Sequence, residues 1–227
     1  LEKLMGTRIS FPRVDGAKTE GYLAKAGHDH APGVVVIQEW WGLQDQIRGI
    51  CDRLALAGYD ALAPDLYAGR VVPYHDHKAA EKELQSLNFA DVAQNVVRGA
   101  MQYLKRSSPK VGISGFCMGG AVAMLASTAP EISCVAPFYG LPPDEYLDVS
   151  KIKVPVQGHF SNTDDFVTPE RAKAFDAALT KAGVVHEVFS YDADHAFMNE
   201  QRDVHDRAAA ELAWKRLLGF LKANLSA

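Results

Sequence analysis

What the 227-residue sequence has little of already narrows its function. It has three cysteines, Cys51, Cys117 and Cys134, an odd number, and no C-x-x-C pair. That excludes a disulfide framework or structural zinc site and fits a reducing, cytoplasmic compartment. There is no block of Lys and Arg, and the net charge is -4. Phosphate binding needs clustered positive charge, so no nucleic-acid partner is expected. No apolar run reaches the length of a membrane span, so no membrane partner is expected either. Leu1 to Met5 contain no apolar stretch long enough for a signal peptide. Repeats, low-complexity segments and linkers are absent. No heptad or apolar patch can be read, which leaves a monomer as the default.

What is present is an ordinary globular balance, 48% hydrophobic and 23% charged. One domain over residues 1–227 is expected, large enough to bury a core without metals. Strand-like and helix-like segments alternate almost to the end, predicting a mostly parallel sheet with helices on both faces. Thr7–Val14 and Thr19–Lys25 flank the turn signal Asp15-Gly16 and read as a hairpin. Val34–Ile37, wholly apolar and β-branched, reads as a buried parallel strand. A helix from Asp45 to Ala57 stops at Gly58, and Ala61–Ala63 is the next strand. Helical patterns run from Lys78 to Leu87 and from Phe89 to Leu104. The strand Lys110–Ser114 leads into Gly115-Phe116-Cys117-Met118-Gly119, followed by a small-residue helix, Ala121 to Ala129. Strands Ile132–Phe138 and Val154–Phe160 come next. Thr168-Pro169-Glu170 is a helix start with Thr as N-cap, Pro in the first turn and an acid near the positive end of the dipole. His186–Tyr191 is the last strand and Asp203 to Ala223 the closing helix. There is no insert long enough for a separate cap domain.

Gly115-Phe116-Cys117-Met118-Gly119 is a G-x-nucleophile-x-G pattern with Cys in the nucleophile position. The glycines answer a crowding problem: the nucleophile sits on a strained strand-to-helix turn whose neighbours two residues away must be small. The turn lifts the sulfur above the sheet beside a helix N-terminus, where free N–H groups favour negative charge. The Met118 N–H is one expected oxyanion donor. The flanking strand and helix supply the context that separates this motif from a buried structural Cys.

An α/β-hydrolase places its acid and then its His later in the chain, on loops after strands. Asp164 follows Val154–Phe160 and His195 follows His186–Tyr191, so the order Cys, Asp, His is met. His195 is the expected base. Asp164 would fix its tautomer and stabilise the imidazolium. Asp165 is a rival acid; Asp192 and Asp194 are too close to His195 on a short loop to orient it well. His28 and His30 lie in the polar Gly27–Pro32 loop, His205 in the last helix, and His186 at the wrong edge of the sheet. His159 competes as a base but reads as a satisfied core histidine. The second oxyanion donor is expected after Val34–Ile37, at the Trp40 N–H. Glu39 puts a carboxylate beside the nucleophile, where it would oppose a resting thiolate or accept the thiol's hydrogen bond.

Together these residues resemble the dienelactone hydrolase family (carboxymethylenebutenolidases). The matching pieces are Gln38-Glu39-Trp40-Trp41-Gly42, Ala63-Pro64-Asp65-Leu66-Tyr67, Gly115-Phe116-Cys117-Met118-Gly119-Gly120, Thr163-Asp164-Asp165-Phe166-Val167 and Asp194-His195-Ala196-Phe197. They lie in order along nearly the whole chain. The resemblance implies a triad of Cys117, His195 and Asp164, with Glu39 holding the resting thiol and helping to ionise it when substrate arrives. It implies hydrolysis of a small ester or lactone with no cofactor. The chain departs from the family at two arginines that bind the carboxylate of dienelactone in the founding enzymes. Gly69 intervenes before Arg70, shifting it by one position, and Asn199 stands where the other lies. The polar segment with Arg70, Tyr74, His75 and His77 is the candidate for a different recognition, with Arg70 and Tyr74 as substrate-binding residues. His75-x-His77 has no clear third ligand, so no metal is expected.

Two other readings use the same residues. One is a small-molecule receptor on the same fold with little or no turnover. The other is a redox-sensing thiol at Cys117, for which the sequence provides no nearby resolving Cys.

Overall fold

The computed structural model describes residues 5–226. The signal-peptide reading rests largely on residues 1–4, which lie outside these. Eight strands form one sheet in the order β1-β2-β4-β3-β5-β6-β7-β8. They are β1 Thr7–Pro12, β2 Lys18–Ala24, β3 Gly33–Ile37, β4 Asp60–Pro64, β5 Val111–Phe116, β6 Ile132–Phe138, β7 Val156–Thr163 and β8 His186–Asp194. The β1–β2 hairpin pairs antiparallel onto β4, and β4 through β8 pair parallel. With its helices on both faces, this is the expected α/β-hydrolase architecture.

The three strands β3, β4 and β5 are buried at every residue, as their β-branched and small side chains require between two helical layers. The period-2 alternation divides them between two cores. Val34, Val36, Ala61 and Ala63 pack with α1 (Asp45–Leu56) and α7 (Arg207–Leu225). Val35, Ile37, Leu62 and Ile113 pack with α4 (Arg98–Lys105), α5 (Met118–Leu125) and α6 (Pro169–Ala182). Between β4 and α4 lie α2 (His77–Ser86), α3 (Phe89–Asp91) and a π-helical stretch, Val92–Val97. From β3 the chain crosses to β4 on one side and later to β5 on the other. The crevice outside the C-terminal ends of β3 and β5 is therefore the topological switch point, where open α/β sheets bind ligands.

Several boundaries differ from the sequence reading, most by one to three residues, and three of them bear on function. Helix α5 starts at Met118, directly after Cys117, not at Ala121. Strand β8 runs on to Asp194, so it delivers His195 immediately. Helix α7 starts at Arg207 rather than Asp203, because Asp206, not an earlier residue, caps it by accepting the Ala209 N–H at 2.8 Å. His205 therefore lies in the preceding loop, its Nδ1 2.9 Å from the Phe197 carbonyl. A π-helical stretch also interrupts the helix expected from Phe89 to Leu104.

Thr168 caps α6 as its sequence suggested, its Oγ1 accepting the Arg171 N–H at 3.3 Å, with Pro169 in the first turn. Thr168→Ala is expected to lower the unfolding free energy by about 1 kcal/mol. A urea titration checks this, with the midpoint falling and the slope unchanged.

Candidate active site

The main chain turns sharply at Cys117, with φ 54° and ψ −120°. A non-glycine residue held at positive φ is strained, and here the neighbours enforce it. A Cβ on Gly115 would lie 1.9 Å from the Gly119 carbonyl oxygen. A Cβ on Gly119 would lie 2.3 Å from the carbonyl oxygen of Ile37, at the end of β3. The two motif glycines thus let β5, α5 and β3 meet. The Cys117 N–H donates to the Phe138 carbonyl at 3.0 Å, tying the turn to β6. Cys117 is half-buried and faces a cavity of about 610 Å³. Cys51 and Cys134 are fully buried, and burial raises the pKa of both thiols.

Met118 opens α5, so its N–H has no intrahelical acceptor. Neither it nor the Trp40 N–H donates to a protein group among the described residues. Both residues line the cavity beside Cys117.

His195 lines the same cavity, with its Nδ1 2.7 Å from Asp164 Oδ2. Asp164 is buried and fully partnered. Its Oδ1 accepts the N–H groups of Phe166 and Val167 at 2.7 and 3.1 Å, and Ser161 Oγ donates to Oδ2 at 3.2 Å. Burial opposes its ionisation, but His195 and these donors outweigh it and hold the pKa below the usual carboxylate range. Burial likewise opposes charge on His195, yet Asp164 and Cys117 prevail and push its pKa up to about 10. The competing groups lie elsewhere. Asp165 is exposed, and Asp194 accepts Thr163 Oγ1 at 2.6 Å. His159 is fully buried between Tyr191 and Gln157, and burial drives its pKa down to about 3.

Glu39 is 2% exposed and lines the cavity. Its Oε1 accepts Tyr139 Oη at 3.1 Å and its Oε2 accepts Asn199 Nδ2 at 2.8 Å. Both donors are neutral and neither is the thiol. Burial outweighs them and raises the Glu39 pKa, favouring its protonated form. Asn199, at the position of the family's missing arginine, therefore serves the glutamate. Tyr139 is fully buried at φ 37°, and its ring meets that of His195 edge-on with centroids 5.2 Å apart.

Arg70 and Tyr74 do not line the cavity. The Arg70 guanidinium is bidentate with Glu83 at 2.9 and 2.8 Å, and Tyr74 Oη donates to Gln201 at 3.0 Å. Both are occupied because α2 and the 200–206 loop fold back across this segment. His77 does line the cavity, its ring against those of Trp40 and Trp41. Arg202 does as well, with its guanidinium carbon 5.3 Å above the Trp41 ring and no carboxylate partner among the described residues. Sequence reasoning missed Arg202, which no local motif marks and which the loop before the last helix brings to the cavity. It missed Tyr139, although a residue following the C-terminal end of a central strand is a signal in this architecture.

The sequence profile of the dienelactone hydrolase family matches residues 19–225. The chain belongs to the dienelactone hydrolase family. It is a hydrolase of the class that cleaves esters and lactones. It is 36% identical to the protein usf of Aquifex pyrophilus, over 98% of this chain and all of that one. It is 35% identical to an Aquifex aeolicus protein named provisionally as a carboxymethylenebutenolidase, over 97% of this chain and all of that one. A crystal structure from Klebsiella pneumoniae, named provisionally as a dienelactone hydrolase, superposes with a TM-score of 0.83 at 26% identity, covering 94% of this chain and 97% of that one. No helix among the described residues is long and apolar enough to cross a membrane.

Asp164→Asn removes the charge that stabilises the imidazolium. The His195 pKa is expected to fall by about 1–3 units. Imidazole proton shifts followed by NMR from pH 5 to 11 check this; an unchanged titration would contradict the assigned contact.

Proposed function

We propose that Cys117 attacks the carbonyl carbon of a small ester or lactone, with His195 as base and Asp164 as its orienter. What supports this most is one juxtaposition: a cysteine on a positive-φ elbow shares a cavity with an imidazole bound to a buried carboxylate at 2.7 Å. The thiol proton passes to His195, whose high proton affinity suits it to hold that proton. Sulfur bonds to the carbonyl carbon, and the oxyanion accepts hydrogen bonds from the Trp40 and Met118 N–H groups. Collapse breaks the carbon–oxygen bond to the alcohol, which takes the proton from His195. The product is a thioester on Cys117. In a lactone the alcohol stays tethered to the acyl group. Water then gives a proton to His195 and adds to the thioester. The carbon–sulfur bond breaks, sulfur recovers the proton and the carboxylic acid leaves. Glu39 acts beside this path. Burial raises its pKa, which lessens the repulsion that an ordinary exposed carboxylate would impose on a neighbouring thiolate.

Hydrolysis of p-nitrophenyl acetate, dienelactone and neutral lactones by wild type and Cys117→Ala, run in parallel, tests the reading. The expected outcome is multiple turnover that the substitution abolishes while near-UV circular dichroism stays native. Ligand binding without turnover by wild type would favour a receptor on the same fold. Turnover retained by Cys117→Ala would overturn the nucleophile.

The basic wall of the cavity gives a second prediction. A substrate carboxylate would be met by Arg202, not Arg70. A hydrogen bond to a charged group is worth about 1.5–3 kcal/mol. Arg202→Ala is therefore expected to raise KM for dienelactone at least about tenfold, relative to its effect on an uncharged lactone. Steady-state kinetics on the two substrates check this.

A further inference from the structure

The cavity is not uniform. Trp40, Trp41, His77 and Arg202 line it as a cluster of rings with one cation, and Phe166, Asp165 and Asp194 line it beside His195 in sequence or contact. Two aromatic rings meet the His195 imidazole. Tyr139 is fully buried, whereas Phe166 is 66% exposed with its ring centroid 4.8 Å from that of the imidazole. An apolar group bound beside the imidazole would cover this ring and take apolar surface out of water. The backbone here is fixed, because the Phe166 N–H donates to Asp164 Oδ1 at 2.7 Å. The same carboxylate thus anchors both the imidazole and the residue that carries the exposed ring. Asp165 beside it has no ion-pair partner among the described residues, and Asp194 is pinned to Thr163.

We propose that Phe166, Asp165 and Asp194 form the leaving-group subsite, and that it selects alcohols with an apolar or aromatic body that are uncharged or cationic. The inference rests on the hydrolase reading above. To protonate the departing oxygen, His195 must come within about 3 Å of it. The group attached to that oxygen is then held at the imidazole edge. Phe166 is the exposed ring there, and Asp165 and Asp194, the chain neighbours of Phe166 and His195, line the cavity with it. An apolar alcohol covers Phe166, a cation gains from Asp165 and Asp194, and an anion is repelled. Selection by charge at this subsite is therefore opposite in sign to that expected at Arg202.

The test uses aryl acetates that share one acyl group. Phenyl, 3-(trimethylammonio)phenyl and 3-carboxyphenyl acetate are compared with methyl acetate in wild type, Asp165→Asn and Phe166→Ala. Each ratio of kcat/KM is compared between proteins, so intrinsic ester reactivity and loss of active enzyme both cancel. Two unit charges at rim distances in a watery environment change the ratio by about three- to tenfold. Asp165→Asn is expected to lower the cation-to-anion ratio by that much at low salt, and 0.5 M NaCl to shrink the wild-type ratio in the same direction. Phe166→Ala is expected to lower the aryl-to-methyl ratio about fivefold or more, through lost apolar contact. Phe166→Leu, which keeps an apolar side chain, should recover part of it. Turnover with ratios unmoved by either substitution would overturn the subsite alone. No turnover of any ester by wild type would overturn the hydrolase reading beneath it, and the subsite with it.

Discussion

The site depends on one backbone constraint, the positive-φ turn at Cys117. The turn exists because three strands and a helix meet without side chains between them. Gly115 lies against Gly119, and Gly119 lies against the end of β3. The Cys117 N–H is committed to β6. With the turn fixed, the Met118 N–H points out of the first turn of α5 and Trp40 follows β3 into the same cavity. A methyl group at Gly119 would push β3 and α5 apart. The strain stored at Cys117 is thus held by packing across the parallel core.

Around that turn the charges are divided by their partners. Asp164 receives an imidazole and three hydrogen-bond donors, so it stays ionised and stabilises charge on His195. Glu39 is buried too and receives a phenol and an amide, but burial outweighs these donors and the charges of His195 and Arg202, so its neutral form gains. The two carboxyl groups therefore carry different loads, set by the balance of burial against the donors and charges each one meets.

Much of this was legible in the sequence. The hairpin, the buried strands and the N-cap at Thr168 follow from local chemistry, and the structure has them where that chemistry puts them. The Asp164–His195 pair was legible because strand order and motif order fix which loops share an edge. Arg202 was not, because the loop that carries it is placed by tertiary hydrogen bonds, such as that from the Asp206 N–H to the Phe197 carbonyl, which no local pattern reports. Arg70 was misread as a cavity residue for a similar reason. Its partner Glu83 lies on a helix whose docking a sequence pattern does not report. Likewise the resemblance assigned Glu39 to the thiol, whereas its hydrogen bonds go to Tyr139 and Asn199. The failures gather at long-range polar contacts, and the successes at periodicity, caps and strand ends.

The central claim is that acyl groups pass through the sulfur of Cys117. Acid quenching during steady-state turnover of p-nitrophenyl acetate, followed by peptide mass spectrometry, tests it most directly. The account predicts one acetyl group on the peptide bearing Cys117, labile to hydroxylamine and absent when His195 is replaced by alanine. Full turnover with that peptide unmodified at every quench time, or with the acetyl group on another residue, would contradict it.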